Sequence, residues 1–486
     1  MNELMIPLQK DSDDHLYLQI YNYIKNEIRK GSMPAGQKLP STRALAAHLQ
    51  IARSTVDFAY GQLLSEGYIE SIPYKGHFVC EISGIYQPAE MTVVDAEQEV
   101  EEAYLFDFSP NSIDISAFPF DTWRRISKTV FLDEDKDIFA LGDARGDFRL
   151  RQAICHYLHG SRGVLCTPDQ VIVGAGNDYL LMLLQKILGS NHRVAVENPA
   201  YMRAARIFAS GGDCVCPVEL DESGMRVDLL RESGAEIAYV TPSRQFPTGI
   251  VMPVGRRNEI LSWANEDANR FIIEDDYDSE FRYKGVPIPS LQALDRKGKV
   301  IYLGTFSKSI APAIRVSYMV LPPQIAKLYE ERLWFVSSTV SRIDQAILYH
   351  FLEEGHFERY LNKMRKLYKG KHDLLLDKLR PFRKHFDISG EQAGLHVILT
   401  AKDGKFTEEE LQEKAKEQGC HVYCMSQYRL DDMNHETISK TLEQKLMKKS
   451  TRSLATLILG YAALSEHEIC EGIERLKTAW EINGKM

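Results

Sequence analysis

Six short apolar runs between residues 171 and 320, separated by stretches with helical spacing, constrain the fold of this chain more than any other feature. Runs of this kind, too short to cross a membrane, indicate buried strands that alternate with helices in a mostly parallel sheet. An α/β domain of this type carries its functional residues at the carboxyl ends of the strands. The runs are VIVGAG (171–176), RVAVE (193–197), IAYVTP (237–242), FIIEDD (271–276), VIYLGTFSK (300–308) and VSYMV (316–320).

The N-terminal part of the chain has a different pattern, in which short helices precede a hairpin. An apolar stripe spaced by four over residues 16–28 predicts a first helix. Ser41 and Ser54 stand where they could cap two further helices, and YIESIPYKGHFV predicts two strands around residues 73–76. Three helices and a hairpin make a winged helix-turn-helix, which we assign to residues 12–82.

A local excess of positive charge in this region favours DNA binding, although the whole chain has a net charge of −9. Residues 25–55 hold six basic side chains against one acid, Glu27. In a winged helix-turn-helix the second helix of the pair enters the major groove by its N-terminal end. A small helical module that binds protein is the alternative interpretation. The candidate DNA contacts are Arg43, Arg53, Ser54 and Thr55, with Lys75 and His77 at the tip of the wing.

Residues 83–104 are poor in aromatic side chains and acidic toward their end, which is typical of a linker. They are followed by a second domain, 105–486, of ordinary globular composition. The eight cysteines form no CxxC pair and no histidines have zinc-finger spacing, so no metal site is predicted. Scattered reduced thiols, a polar N-terminus and the lack of a spanning apolar run favour a cytoplasmic protein with no membrane partner.

The ends of the predicted strands carry groups that together match the requirements of one cofactor. Asp275 closes one strand, Lys308 follows another, and a glycine-rich turn leads from a third strand into a helix. Each feature alone is a weak signal. Together they meet the needs of pyridoxal phosphate, which requires a lysine amine, a carboxylate at the ring nitrogen and an anion site for the phosphate. The turn consists of Gly174, Ala175, Gly176 and Asn177.

Two further side chains fit the same cofactor. Arg315, seven residues after Lys308, can reach the phosphate. Tyr277, two residues after Asp275 on an extended segment, can form a hydrogen bond to the ring hydroxyl. The hydroxyl groups that could assist at the phosphate are those of Thr305, Ser307 and Ser309.

Both halves of the chain resemble known families. A close resemblance to the GntR family of bacterial regulators is carried by PSTRALAAHLQIARSTVDFAYGQLLSEGYIESIPYKGHFV. A resemblance to class I aminotransferases of fold type I is carried by LGDARGDFRLRQAICHYLHGSRGV, IIEDDYDSEFRY and YLGTFSKSIAPAIRVSYMVLP. Joined in one chain, the two parts are similar to the MocR family of regulators. The resemblance implies a DNA-binding head and a fold-type I domain that holds pyridoxal phosphate in a homodimer.

Specific roles follow from this resemblance. It implies that Lys308 forms the bond to the cofactor, that Asp275 pairs with the ring nitrogen, and that Arg315 lies at the phosphate. It also identifies Tyr201 and Arg203, within NPAYMRAAR, as part of the segment on the ligand side.

The sequence departs from the aminotransferase pattern at two places that bear on turnover. Aminotransferases usually carry Asn-Pro-Thr-Gly at the loop that contacts the ring, whereas this chain has Phe-Pro-Thr-Gly at 246–249. The γ-aminobutyrate-responsive regulators carry an arginine after Met-Ser, where this chain has Gln427. Candidate anchors for a ligand carboxylate are therefore Arg203, Arg429 and Arg452, of which we favour Arg203.

These observations favour a pyridoxal phosphate-dependent regulator that binds a DNA operator. A small amino compound would displace Lys308 and form an external aldimine, with little or no turnover. The first alternative is a working aminotransferase whose DNA-binding head controls its own operon, but the departures at Phe246 and Gln427 disfavour it. The second alternative is a dimerisation scaffold, which would need neither Lys308 nor Asp275.

Overall fold

The computed structural model of this chain describes residues 6–9, 14–81, 104–132, 136–283, 288–391, 394–430 and 454–482. The chain divides into two compact units, Met1–Glu101 and Glu102–Met486. The linker predicted at 83–104 lies outside the described residues except for Tyr104. Among the helices described, none is long and apolar enough to cross a membrane.

The smaller unit contains three helices followed by an antiparallel hairpin. One core joins the apolar stripe of the first helix to the buried face of the third, where Val56, Tyr60 and Leu63 are fully buried. The elements are α1 (Leu16–Arg29), α2 (Thr42–Leu49), α3 (Arg53–Ser65), β1 (Ile69–Ile72) and β2 (Gly76–Val79).

The two predicted helix caps have different outcomes. Ser41 caps α2, because its side-chain oxygen accepts a hydrogen bond from the Ala44 N–H at 3.1 Å. The prediction that Ser54 caps the next helix is wrong, because α3 begins at Arg53 with Ala52 in the N-cap position. Ser54 therefore lies within the first turn of α3, where its hydroxyl is exposed.

The larger unit contains eleven helices and fourteen strands among its described residues. The helices are α4 (Phe120–Leu132), α5 (Phe148–Arg162), α6 (Asn177–Leu188), α7 (Met202–Ser210), α8 (Val227–Glu232), α9 (Val254–Asn265), α10 (Pro323–Leu333), α11 (Arg342–Glu353), α12 (His356–Lys378), α13 (Glu408–Glu417) and α14 (Glu466–Ala479). The strands are β3 (Phe106–Asp107), β4 (Val171–Gly174), β5 (Arg193–Asn198), β6 (Cys214–Asp221), β7 (Gly224–Met225), β8 (Ile237–Val240), β9 (Phe271–Asp276), β10 (Val300–Thr305), β11 (Ser317–Val320), β12 (Phe386–Ser389), β13 (His396–Ala401), β14 (Cys420–His421), β15 (Tyr423–Cys424) and β16 (Thr456–Gly460).

Eight strands form a central sheet in the order β4-β11-β10-β9-β8-β5-β6-β7, which confirms the predicted mostly parallel sheet. The six apolar runs of the sequence contain β4, β5, β8, β9, β10 and β11. Only β11 and β7 run antiparallel to their neighbours. The sequence reading missed β6, because this strand near the sheet edge buries only alternate residues and so forms no continuous apolar run.

Both faces of the sheet are covered, as a parallel sheet requires. Along β4, Val171 and Val173 pack into a cluster with residues of α5, α11 and α12. Ile172, between them, packs into a different cluster with residues of α6 and α7. This alternation explains why the strands read as continuous apolar runs, since both faces of each strand are dry.

A second, antiparallel sheet in the order β12-β13-β16-β15 lies in the C-terminal part of the chain. Its strand β16 passes close to the segment that precedes α4. A Cβ atom on Gly460 would lie only 2.0 Å from the carbonyl oxygen of Ser109, so the absence of a side chain is required there. This close approach brings the backbone of Pro110 to the carboxyl edge of the central sheet, where its carbonyl meets Lys308.

A buried ion pair supports the same edge from behind. Arg162 Nε lies 2.7 Å from Asp276 Oδ2, and the two side chains are 5% and 1% exposed. The hydroxyl of Tyr302 donates to the same carboxylate oxygen at 2.6 Å.

We expect Arg162→Leu to lower the free energy of unfolding of the larger unit by about 3–5 kcal/mol, because it leaves the Asp276 carboxylate buried without its cation. Urea unfolding followed by tryptophan fluorescence measures this unit alone, since all four tryptophans lie in it. Arg124→Leu is the matched control, because its pair with Asp121 is 67% and 96% exposed. Equal losses in the two variants would contradict the prediction.

Candidate functional site

A cavity of about 260 Å³ lies at the carboxyl edge of the central sheet and collects most of the residues that the sequence singles out. Its predicted members come from five separate segments of the chain, which only the fold brings together. They are Gly176, Asn177, Tyr201, Arg203, Asp275, Tyr277, Thr305, Ser307, Lys308 and Arg315. Asn111, Asp178, Thr241, Phe246 and Pro312 complete the lining.

Lys308 stands three residues beyond the end of β10, with its amine in the cavity. Its Nζ donates to the carbonyl oxygen of Pro110 at 3.1 Å and lies 5.1 Å from the ring centre of Tyr277. Burial is the main cause that lowers the pKa of Lys308 to about 8; the Asp278 carboxylate opposes this shift and the Arg244 guanidinium contributes to it. The site therefore raises the neutral, nucleophilic fraction of the amine near physiological pH above that of an ordinary lysine.

Asp275 is the second-last residue of β9 and is almost fully buried. One carboxylate oxygen accepts a hydrogen bond from the Tyr239 hydroxyl, and the other accepts one from the Asn177 side-chain amide at 3.2 Å. Burial is the main cause that raises the pKa of Asp275 to about 7; the hydrogen bond from Tyr239 opposes this shift and the carboxylate of Asp276 contributes to it. A cation placed against this carboxylate would reverse that shift and would itself be stabilised.

Two buried polar atoms at the cavity have no hydrogen-bond partner among the described residues. They are the hydroxyl of Tyr277 and the Oδ1 atom of Asn177. Buried polar atoms are normally satisfied, so this pair indicates that a polar ligand completes the site. A pyridine ring bearing a hydroxyl group provides such partners, and the predicted pyridoxal phosphate fits this part of the cavity.

The glycine-rich turn joins β4 to α6 and is tightly built. Gly176 has φ +97°, a backbone conformation that favours glycine, and a Cβ atom there would lie 2.4 Å from Nη2 of Arg315, so a side chain at this position would displace the guanidinium. The N–H groups of Ala175 and Gly176 already donate to Thr339 and to the carbonyl of Gly174. The N–H groups in the first turn of α6 and the Arg315 guanidinium are thus the donors suited to a phosphate.

Ser307 takes a more restricted position than the sequence suggests. Its hydroxyl donates to the carbonyl oxygen of Ile314 at 2.7 Å, and its N–H donates to the Thr305 hydroxyl at 3.2 Å. These contacts hold together the loop between Lys308 and Arg315. The Ser307 hydroxyl can still accept a hydrogen bond, but its own proton is already engaged.

Asp178 links the two arginines of the cavity. Its Oδ2 atom lies 3.1 Å from Nη1 of Arg203 and 3.6 Å from Nη2 of Arg315. Arg429, in contrast, donates to Glu219 at 3.1 Å and does not line the cavity, and Arg452 lies outside the described residues. Of the three candidate carboxylate anchors, the cavity therefore contains Arg203.

Phe246 forms an apolar wall where the aminotransferase pattern has a polar side chain. It is 4% exposed and makes edge contacts with four aromatic rings. The rings are those of Tyr201, Tyr277, His396 and Tyr428, with centroid distances of 6.2, 5.7, 5.8 and 5.3 Å. Its side chain can offer no hydrogen bond to a ligand.

Several residues of the site escape sequence reasoning. Tyr239 lies inside an apolar run and reads as a core residue, yet its hydroxyl holds Asp275. The pair Arg244–Asp278, at 3.1 Å and 3% and 2% exposed, affects the pKa of Lys308. Its partners are 34 residues apart, so no local spacing signals the contact.

The candidate DNA contacts lie on the smaller unit. Arg43, Arg53, Ser54 and Lys75 are exposed, and Thr55 is half-buried. Arg53 forms an exposed ion pair with Asp57 at 3.4 Å, one helical turn along α3. His77 differs from the others, because its ring packs edge-on against Tyr60 at 5.1 Å and its Nδ1 atom is buried.

Comparisons with known proteins agree with both units. The model of the family "Bacterial regulatory proteins, gntR family" matches residues 16–79, and that of "Aminotransferase class I and II" matches residues 110–441. The transcriptional regulator YdeL of Bacillus subtilis is 39% identical over 478 residues, covering 98% of this chain and 99% of that protein. The probable rhizopine catabolism regulatory protein MocR of Rhizobium meliloti is 30% identical over 98% of this chain and 96% of its own length.

A solved structure shares the fold of the larger unit. The multiple substrate aminotransferase of Thermococcus profundus superposes with a TM-score of 0.67 at 25% identity, covering 79% of this chain and 92% of that one.

In protein freed of bound cofactor, we expect the rate at which Lys308 reacts with trace acetic anhydride to reach half its maximum near pH 8. Only the neutral amine reacts, and its pKa is about 8. The reactivity should rise as pH increases through this value, well below the range of a lysine in a model peptide, about 10.4. Competitive labelling with peptide mass analysis measures the reactivity of Lys308 and that of a lysine in a model peptide in one sample. A titration of Lys308 that coincides with the model peptide would contradict the expectation.

Proposed function

Because this chain belongs to the MocR-type regulators of the GntR family, we propose that its larger unit senses a small amino compound and thereby controls how its smaller unit binds DNA. The chain is a GntR-family transcription regulator with a fold-type I aminotransferase domain. The observation that carries the proposal is one cavity holding a lysine amine of lowered pKa opposite a buried carboxylate.

The cofactor of this domain is pyridoxal phosphate. When bound, it supplies an aldehyde carbon that condenses with primary amines. We assign its binding to Lys308 at the aldehyde, Asp275 at the ring nitrogen and Tyr277 at the ring hydroxyl. Arg315 and the turn at 174–177 would bind the phosphate, whose charge suits the guanidinium and the start of α6.

Lys308 acts in this proposal as the amine that a ligand replaces. With a pKa of about 8, roughly a tenth of its amine is neutral at pH 7, far more than for an ordinary lysine. Once displaced, the amine remains within reach of the Pro110 carbonyl and near the Asp278 carboxylate, and both groups stabilise it. Exchange between Lys308 and a small amine is therefore reversible, as a sensor requires.

Asp275 holds the other side of the ring. A carboxylate with a pKa raised to about 7 by burial gains most from a cation beside it, and a protonated ring nitrogen is such a cation. The hydrogen bonds from Tyr239 and Asn177 fix the orientation of the carboxylate, so the ring would meet a preorganised partner.

We assign the recognition of a ligand carboxylate to Arg203, the candidate anchor that lines the cavity. Its guanidinium now pairs with Asp178, and its side chain is 61% exposed. A carboxylate entering the cavity would have to compete with Asp178 for this cation. That competition favours weak, reversible recognition over a firm clamp.

The same features argue against efficient turnover. Moving a proton between a substrate carbon and the cofactor requires the substrate to be held rigidly, and a misplacement of about 1 Å can cost around a hundredfold. Phe246 offers only an apolar contact, and Gln427 is exposed away from the cavity. The alternative, a working aminotransferase, is favoured only by the presence of Lys308, Asp275 and Arg315 in one site.

We also propose that the chain acts as a homodimer. The larger unit exposes several large apolar side chains, which is unusual for a surface that faces water alone. A subunit interface would cover such groups. The most exposed of them are Leu132, Phe139, Leu141, Val254, Trp334 and Phe335, at 80%, 74%, 93%, 65%, 76% and 65%.

Purified protein loaded with pyridoxal phosphate should be yellow, and borohydride reduction should leave the cofactor on the peptide that contains Lys308. Lys308→Ala should lose the visible band and the covalent attachment, because no other amine lines the cavity among the described residues. Lys327→Ala, which removes a lysine that is 76% exposed, is the matched control and should keep both.

The same preparation distinguishes the sensor from the enzyme. Titration with amino acids, ω-amino acids and simple amines should change the spectrum for at least one class. An oxo-acid acceptor should then yield only trace product. Turnover in the usual enzymatic range of about 1–1000 per second would instead support the aminotransferase, and a protein that stays colourless with added cofactor would refute the sensor.

Arg53→Ala should weaken operator binding, because Arg53 is exposed at the start of α3. If the guanidinium contacts a guanine, the loss should be about 1–3 kcal/mol and specificity should relax at one base pair. If it contacts only phosphate, binding should weaken for all sequences and the salt slope should fall by about one. Electrophoretic mobility shifts at several salt concentrations separate the two outcomes.

Arg29→Ala, in the last turn of α1, is the control for a general loss of positive charge on the smaller unit. A loss no larger for Arg53→Ala than for Arg29→Ala would remove the start of α3 from the DNA interface.

A further inference from the structure

Two cysteines outside the cofactor cavity lie in direct contact. The sulfur atoms of Cys155 and Cys166 are 3.4 Å apart, although eleven positions separate the residues in the sequence. Cys155 lies on α5 and is 8% exposed, whereas Cys166 is half-buried in the segment that follows this helix. All eight cysteines of the chain are free thiols in the structure.

The two thiols are not equivalent. The S–H of Cys166 donates toward the sulfur of Cys155, and Arg151 lies one helical turn before Cys155. The hydrogen bond from Cys166 lowers the pKa of Cys155, with a smaller contribution from the Arg151 guanidinium, and the same contact raises the pKa of Cys166. Cys155 is thus suited to attack as a thiolate and Cys166 to follow as the second thiol.

A small oxidant has access to the pair. Both cysteines line a surface groove of about 620 Å³ that also contains His156 and His159. Neighbouring Leu165 is 55% exposed, so the segment around Cys166 is not covered by other described parts of the chain.

The backbone around Cys166 can adjust to a shorter sulfur–sulfur distance. Residues 163–167 form no helix or strand, and they lie between Gly163, which ends α5 with φ +69°, and Pro168. A disulfide bond is about 2.05 Å long, so closing the gap requires a movement of about 1.4 Å. The hydrogen bonds that the backbone N–H groups of this segment donate run to the side chains of Gln292 and Gln170 rather than along a helix, so the segment absorbs such a shift more readily than the helix that carries Cys155.

From this geometry we propose that Cys155 and Cys166 form a redox-active dithiol site, which a hydroperoxide oxidises to a disulfide. The Cys155 thiolate attacks the terminal oxygen of the hydroperoxide, the O–O bond breaks, and the alcohol leaves after protonation. The sulfur of Cys166 then attacks the sulfenic acid sulfur, the S–S bond forms, and water leaves. Two thiols lose two hydrogen atoms, and the hydroperoxide is reduced to an alcohol and water.

The site lies next to the framework of the cofactor cavity. Gln170, four residues after Cys166, bonds through its side chain and its carbonyl to Leu321, which follows β11. Val171, the residue after Gln170, begins β4, and the glycine-rich turn lies at the other end of this strand. The disulfide would therefore constrain the start of the strand that carries this turn. The proposal does not depend on the amine-sensing function.

Peptide mapping of the full-length protein tests the proposal directly. Trypsin cleaves after Arg151 and Arg162, so the two cysteines fall on separate peptides that only a disulfide joins. Reduced protein treated with cumene hydroperoxide and quenched with N-ethylmaleimide should yield the linked pair 152–162 with 163–186, which dithiothreitol separates. Oxidation of Cys155 should be at least about tenfold faster than that of Cys216, which is equally buried at 9%.

Three variants complete the test. Cys166→Ser should abolish the linked pair and leave Cys155 as a sulfenic acid that dimedone traps, and Cys166→Ala serves the same purpose if the serine variant fails to fold. Cys214→Ser, which removes an exposed thiol two residues from Cys216, is the matched control and should leave the linked pair intact. The proposal would be overturned if the two peptides stayed unlinked in wild-type protein whose Cys214 had been oxidised by the same treatment. Equal oxidation rates for Cys155 and Cys216 would also overturn it.

Discussion

The parallel pairing of β9 with β10 is the constraint on which the rest of the site depends. It places Leu303 beside Asp275 and Gly304 beside Asp276. The chain that leaves β10 therefore brings Lys308 to the carboxyl edge of the sheet, where Asp275 lies. Strand β4 reaches the same edge through β11, and its glycine-rich turn meets Arg315 there. A shift of one residue in the pairing would turn Asp275 to the other face of the sheet, because side chains alternate along a strand.

Concentrating charge at this edge is costly, and the surrounding structure compensates for it. Asp276 is neutralised by Arg162, and Asp278 by Arg244, in pairs that are almost completely buried. Among the described residues, Asp275 and Lys308 have no ion pair: the carboxylate accepts hydrogen bonds from Tyr239 and Asn177, and the amine donates to the Pro110 carbonyl. The two groups that a cofactor would engage thus lack the ion pairs that Asp276 and Asp278 have.

The proposed function rests on a contrast between the cofactor side of the cavity, which is complete, and the substrate side, which is incomplete. Residues on the cofactor side are preorganised, whereas on the ligand side Phe246 offers only aromatic contacts and Arg203 is shared with Asp178. Such a site can exchange amines without holding a substrate firmly enough for rapid chemistry. A reporting domain attached to a DNA-binding unit gains from this, since efficient turnover would consume the signal. The dithiol of Cys155 and Cys166 adds a second chemical input to the same domain.

The sequence by itself determined the winged helix-turn-helix and the mostly parallel sheet, because apolar periodicity is a local signal. It also singled out Lys308, Asp275 and Arg315 from strand-end chemistry, and the fold brings these three residues to one cavity. It placed the helix cap at Ser54, two residues later than Ala52, and missed β6, where local patterns are ambiguous. Only the tertiary structure decided that Tyr239 holds Asp275, that Asp178 occupies Arg203, and that Cys155 touches Cys166. Each of these contacts joins side chains that are distant in sequence, and their distances depend on how strands and helices pack, which no local spacing encodes.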